Sequence, residues 1–280
     1  MKNLLIASLL LCCAAGTSAQ KMMSCCAPSA TESFSQLGSD KQFVRSHPLP
    51  LPLTFRSENG QPIKFKAPDG SDAYGWEIKS KTPTNNYLFV IHEWWGLNDH
   101  IKQESEKLWG DLGNVNVIAL DLYDNKVAST REDAARYMQS VTTDRADAII
   151  RGAINYAGAQ ARIFTIGWCF GGGWSLQSSI LAGKQAAGCV MYYGMPEKNL
   201  DKLASLSPDV LGIFANKDQW VNPKVVDEFS ANMEKAGKKL IVKRYDADHG
   251  FANPSNPIYD KAATEDAYKS TLAFLKARLK

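Results

Sequence analysis

Gly167-Trp168-Cys169-Phe170-Gly171 sets a cysteine between two glycines directly after an apolar run at 163–166. A strand, a sharp turn and a helix in that order make a nucleophile elbow, with cysteine here where serine usually stands. The turn is so tight that a Cβ at 167 or 171 would strike neighbouring backbone, which is why both are glycine. The thiol then sits at the N-terminus of the following helix, where the macrodipole favours a thiolate. The Phe170 amide points at an oxyanion developing beside it. That chemistry is nucleophilic attack on an acyl carbon. The competing reading is a small buried hydrophobe, a common fate of free cysteine. Cys189, inside an apolar run with no glycine turn, fits that second description.

A nucleophile of this kind needs a base and an orienting acid, in loops after later strands and in the order nucleophile, acid, histidine. Asp218 follows the run at 210–215, and His249 follows the run at 240–245. Of the four histidines, only His249 occupies such a loop in the required order. Asp246 and Asp248 are rival acids, but they lie too close to His249 for the usual strand spacing. A further carboxylate, Glu93, begins the Glu93-Trp94-Trp95-Gly96 loop at the end of another apolar run. Beside two tryptophans it is poorly solvated, so its pKa should rise toward a useful acid/base range. His92, on the strand end, reads as a hydrogen-bonded scaffold residue. Trp95 and Phe251 are candidate walls of an apolar substrate pocket.

These loops require a scaffold, and the body supplies one. Apolar runs of strand length recur at 74–78, 87–91, 115–120, 163–166, 189–193, 210–215 and 240–245. Several are apolar throughout, as expected of strands buried on both faces. Helical spacing appears at 99–112, 144–156, 223–236 and 258–279, the third opening on a proline suited to a first turn. Such alternation predicts an α/β fold, a mostly parallel sheet covered by helices on both faces.

The chain has 280 residues, 45% hydrophobic and 22% charged, with a net charge of +3, so it is globular and too weakly basic for a nucleic-acid partner. Its six cysteines are too sparse for a disulfide scaffold. Residues 1–19 read as a secretory signal: Lys2, an apolar run too short to span a bilayer, and small residues Thr17-Ser18-Ala19 before Gln20. This predicts export, to a periplasmic or secreted destination, with no membrane span left after signal removal. Residues 20–51 lack a clear period and read as an extended tail, with 52–280 as the catalytic domain. In the tail, Met22, Met23, Cys25 and Cys26 suit a thiophilic metal, a disulfide or a simple tether.

The whole set of motifs resembles the dienelactone hydrolases. It comprises Glu93-Trp94-Trp95-Gly96-Leu97-Asn98, Asp121-Leu122-Tyr123, the Gly-Trp-Cys-Phe-Gly-Gly elbow, Tyr192-Tyr193-Gly194, Asp218 and His249-Gly250-Phe251. The resemblance implies an α/β-hydrolase fold and a Cys169-His249-Asp218 triad acting on a small ester or lactone, with no cofactor or metal. It also implies that Glu93 holds the resting thiol and helps deprotonate it, and that the Phe170 and Trp94 amides form the oxyanion hole. Members that cleave dienelactone clamp the substrate carboxylate with an arginine shortly after the histidine. Asn253 stands there instead, leaving Arg131 as a second clamp. Losing a charged fork for a neutral amide weakens recognition of an anionic lactone. The rivals are a broad carboxylesterase and a non-catalytic binding or redox-sensing protein on the same fold.

Overall fold

A computed structural model describes residues 28–279. The proposed signal segment and Cys12, Cys13, Cys25 and Cys26 therefore lie outside the described residues. Eight strands form one sheet: β1 (Gly60–Lys66), β2 (Asp72–Ile78), β3 (Asn86–Ile91), β4 (Asn116–Asp121), β5 (Arg162–Trp168), β6 (Ala186–Tyr192), β7 (Val210–Ala215) and β8 (Leu240–Tyr245). Their order is β1-β2-β4-β3-β5-β6-β7-β8. The β1–β2 and β2–β4 pairs are antiparallel and the rest parallel. All seven anticipated strands are present. β1 escapes a reading by apolar runs because it is an edge strand, exposed at alternate positions and interrupted by Pro62.

The helices follow from amphipathic spacing and local caps. α3 (Asp99–Leu112) starts where Asn98 accepts the Ile101 amide at 3.2 Å, and it buries Ile101, Leu108 and Leu112. α5 (Thr143–Ala157) buries Ala146, Ile149, Ile150 and Ala153, as their spacing predicts. α8 (Pro223–Lys235) opens on its proline behind the Asn222 cap, and α9 (Lys261–Lys276) closes the chain. α3 packs with α9 on one face of the sheet, while α5, α6 (Phe170–Ala182), α7 (Leu200–Ser205) and α8 pack in a row on the other. α6 leaves the elbow and is buried along almost its whole length, so it runs through the core.

The expected extended tail is corrected by the structure. Described residues 28–51 contain α1 (Ala30–Ser35) and α2 (Lys41–Ser46), joined by a turn of 3-10 helix. Ser29 and Glu32 close a capping box on α1, and Asp40 caps α2 through the Gln42 amide at 2.7 Å. Both helices are too short to show a period, yet each buries a phenylalanine, Phe34 and Phe43, in the main core. α1 packs on α6, and α2 packs on α4 (Arg131–Ser140). A strap of residues 47–55 then crosses the C-terminal edge of the sheet. His100 Nε2 donates to the Leu51 carbonyl at 2.8 Å, and the Phe55 amide donates to Asp99 at 3.0 Å.

Candidate active site

The order of strands reverses between β3 and β5, and ligands in open α/β sheets sit in the crevice outside such a switch point. The loop after β3 carries Glu93, Trp94 and Trp95, and the turn after β5 carries Cys169. Cys169 adopts φ +57°, a strained conformation for a residue with a side chain. The turn is held by the Cys169 amide donating to the Tyr192 carbonyl at 3.1 Å and the Gly172 amide donating to the Cys169 carbonyl at 3.0 Å. A Cβ on Gly167 would overlap the Gly171 carbonyl, and one on Gly171 would overlap the carbonyls of Ile91 and His92. Both glycines are thus required by close approach.

His249 lies in the loop after β8, and its Nδ1 donates to Asp218 Oδ2 at 2.6 Å. Asp218 is in turn fixed by the Trp220 and Val221 amides, which donate to Oδ1 at 2.8 and 2.9 Å. Of the two rival acids, Asp246 pairs instead with Lys217 at the surface. With Nδ1 engaged, Nε2 of His249 is the free ring nitrogen, and the ring interacts with the Cys169 thiol. Burial opposes a charged His249, but the Asp218 carboxylate outweighs it and holds the imidazole well above its ordinary pKa. Burial pushes the Cys169 thiol up, with His249 and the Phe170 amide partly offsetting it.

The Glu93 carboxyl accepts from Asn253 Nδ2 at 2.6 Å. Asn253 is oriented by Ser255, whose amide and hydroxyl donate to Oδ1 at 2.9 and 2.7 Å. Burial raises Glu93 to about 7, against the smaller opposing effect of Asn253. His92 is the scaffold residue anticipated: Nδ1 donates to the Glu93 carbonyl at 2.6 Å, and Nε2 accepts the Leu122 amide at 3.2 Å. Trp94 is held by Tyr123, whose hydroxyl donates to its carbonyl at 3.1 Å. Cys189 is fully buried in β6, against Ser175.

Two expected substrate contacts are corrected. Arg131 lines neither cavity at the site; its Nε donates to the His47 carbonyl at 2.8 Å and so anchors the strap. Phe251 is fully buried behind the histidine, packed on Tyr193 and Tyr245 at ring distances of 5.6 and 5.3 Å. Trp95 and Asn253 do face the site.

A void of about 10 Å³ touches Cys169, His249, Glu93, Trp94, Trp95 and Asn253. A cavity of about 670 Å³ adjoins it, walled on one side by Leu51 and Leu53 of the strap and on the other by Trp168, Tyr192 and Leu272. Glu93 and Asn253 line both spaces, so their hydrogen bond forms part of the partition.

Sequence reasoning missed His47. Its ring is 5.2 Å from that of His249 and 4.1 Å from that of Phe43, and it sits 93% buried over the site (7% exposed). One ring nitrogen of His47, one of His249 and Cys169 Sγ all lie within 4.8 Å of one another, the only such group of potential metal ligands among the described residues. The tail offered one signal, a histidine directly before the Pro48-Leu49-Pro50-Leu51-Pro52 run.

An eight-stranded sheet with a cysteine elbow at its switch point defines a hydrolase of the α/β class. A cold-adapted esterase from an Arctic intertidal metagenomic library shares this fold with a TM-score of 0.59 at 17% identity, over 82% of this chain and 99% of that one. The model of the dienelactone hydrolase family matches residues 75–279, and the chain belongs to that family. Protein usf of Aquifex pyrophilus is 28% identical over 205 residues, covering 69% of this chain and 88% of the relative. Carboxymethylenebutenolidase 1 of Cupriavidus pinatubonensis is 26% identical over 216 residues, covering 70% and 88% respectively.

Proposed function

We propose that the protein is an exported hydrolase that cleaves a small ester or lactone through a thioester on Cys169. The observation that carries this reading is the His249–Asp218 pair, bonded at 2.6 Å, with its free nitrogen beside a thiol at a strained elbow. Substrate entering from the large cavity meets the Glu93–Asn253 partition first. Breaking that bond frees the Glu93 carboxylate to take the thiol proton. Cys169 then attacks the carbonyl, and the Phe170 and Trp94 amides stabilise the tetrahedral oxyanion. His249 protonates the departing alkoxide, and an alcohol leaves. It next takes a proton from water, which attacks the thioester; the acid leaves, and Glu93 returns its proton to the departing thiolate to restore the thiol. Asp218 keeps the imidazole in the required tautomer throughout.

The neutral Asn253 and the engagement of Arg131 with the strap favour an uncharged acyl group over the anionic lactone that the name carboxymethylenebutenolidase denotes for its bearer. The test is hydrolysis of a panel of neutral esters, neutral lactones and an anionic dienelactone by the purified protein. Neutral substrates should be turned over fastest, and mass spectrometry should find the acyl group on Cys169. Undiminished turnover in Cys169→Ala would overturn the mechanism. Export rests on the reading of residues 1–19, and a cell-derived protein should begin near Gln20 by N-terminal sequencing.

A further inference from the structure

His47 and His249 share an arrangement that hydrolysis does not use. In each, Nδ1 is committed to an oxygen: the Phe43 carbonyl at 2.6 Å for His47, the Asp218 carboxylate at 2.6 Å for His249. Each ring is therefore oriented by Nδ1, with Nε2 turned away from that oxygen. Both Nε2 atoms are buried without a hydrogen-bond partner. Metal-binding histidines are oriented in this way, one nitrogen on a carboxylate or carbonyl and the other on the ion. The third donor is Cys169 Sγ, and the void of about 10 Å³ touching all three residues is the size of an ion or one water rather than of a substrate.

We propose that His47, Cys169 and His249 form a binding site for Zn2+ that caps the nucleophile. Two imidazoles and a thiolate are a set that zinc accepts in tetrahedral sites, with a fourth position for water or the nearby Glu93. Ideal bond lengths require donors about 3.3–3.6 Å apart. One nitrogen of each ring and Cys169 Sγ lie within 4.8 Å of one another, so binding requires the three side chains to close in by up to about 1.5 Å. Charge also fits. With water in the fourth position, a divalent ion, the Cys169 thiolate and the Asp218 carboxylate sum to zero, so the buried cluster carries no uncompensated charge. On binding, Zn2+ displaces the thiol proton and the proton on His249 Nε2, both of which pass to solvent, and three lone pairs close onto the ion; no redox change occurs. The sulfur pair is then unavailable for acyl transfer, and the strap is tied to the elbow through His47.

The experiment is equilibrium binding of Zn2+, with Co2+ as a spectroscopic substitute, to the reduced full chain. The comparison variants are His47→Phe, His47→Gln, Cys169→Ser and the double variant Cys25→Ser/Cys26→Ser. The phenylalanine keeps a ring in the aromatic cluster and removes both nitrogens, and circular dichroism checks that each variant is folded. Wild type and the double tail variant should both bind one ion competitively with a chelator and show the thiolate-to-cobalt charge-transfer band. His47→Phe, His47→Gln and Cys169→Ser should lose at least 10-fold in affinity, and Cys169→Ser should lose the band. The proposal falls if folded His47 variants bind as tightly as wild type, or if binding disappears in the double tail variant alone. Binding is read without any substrate, so failure of ester hydrolysis would leave this result standing, and the converse holds.

Discussion

Glu93 joins a raised pKa to a position between two cavities, and its titration should be visible in two ways. Its folded value of about 7 stands above the 4.5 of an ordinary glutamate, so between these pH values the native state binds more protons than the unfolded chain. Stability from this group is present below pH 4.5 and falls as pH rises toward 7. The pH dependence of the denaturation midpoint should lose that downward slope in Glu93→Gln. The same ionisation makes the base, so kcat/KM should rise through about pH 7 in wild type, and this limb should vanish in the variant. Asp218→Asn keeps the shape of the site but offers His249 the wrong tautomer, and kcat should fall by roughly 10³–10⁴. The elbow, Asp218, His249 and Glu93 could all be picked out from residue type and chain order, because each stands where a strand must end. The bond between Glu93 and Asn253 was not legible, since their numbers are 160 apart and only folding sets them together.

α1, α2 and the strap form one functional element that a periodicity argument passes over. Each helix is six residues long, under two turns, so no repeat can accumulate. Their order comes from caps and from single phenylalanines seated in the core of the domain. Phe43 contacts His47, Trp94, Trp220 and His249 at ring distances of 4.1, 5.4, 5.1 and 6.2 Å. Removing it in Phe43→Ala should cost about 3–5 kcal/mol of docking free energy. The readout is faster hydrogen exchange over residues 28–55 and faster alkylation of Cys169, with protection of the central strands retained. Acid should act on the same element. Burial and the neighbouring His249 hold His47 down to about 3, so below pH 6.5 the undocked chain takes up a proton that the docked one refuses. Docking should weaken by up to about 1.4 kcal/mol per pH unit as pH falls through that window. Exchange over 28–55 should show this slope, and His47→Phe should remove it.

At the scale of the whole molecule, the sheet was readable because its parallel strands are apolar on both faces, whereas β1 and the N-terminal helices depend on partners far along the chain. No helix among the described residues is long and apolar enough to cross a membrane. The N-terminal segment meets the domain through residues such as Asp40, which accepts from Trp220 Nε1 at 3.2 Å, and Gln42, which donates to Gln219 at 2.5 Å. These pairs are separated by 180 and 177 positions. Contacts of such long range form slowly, because a large loop must close before they reward it. In refolding, the Trp220 environment and the protection of Cys169 should therefore mature after the backbone signal of the sheet; simultaneous phases would contradict this. The first part of the described chain to be synthesised is thus the last to find its place. On that order, every newly made molecule would pass through an interval with its thiol uncovered, and exposure to oxidants or to substrate in that interval would be a matter of the age of the molecule.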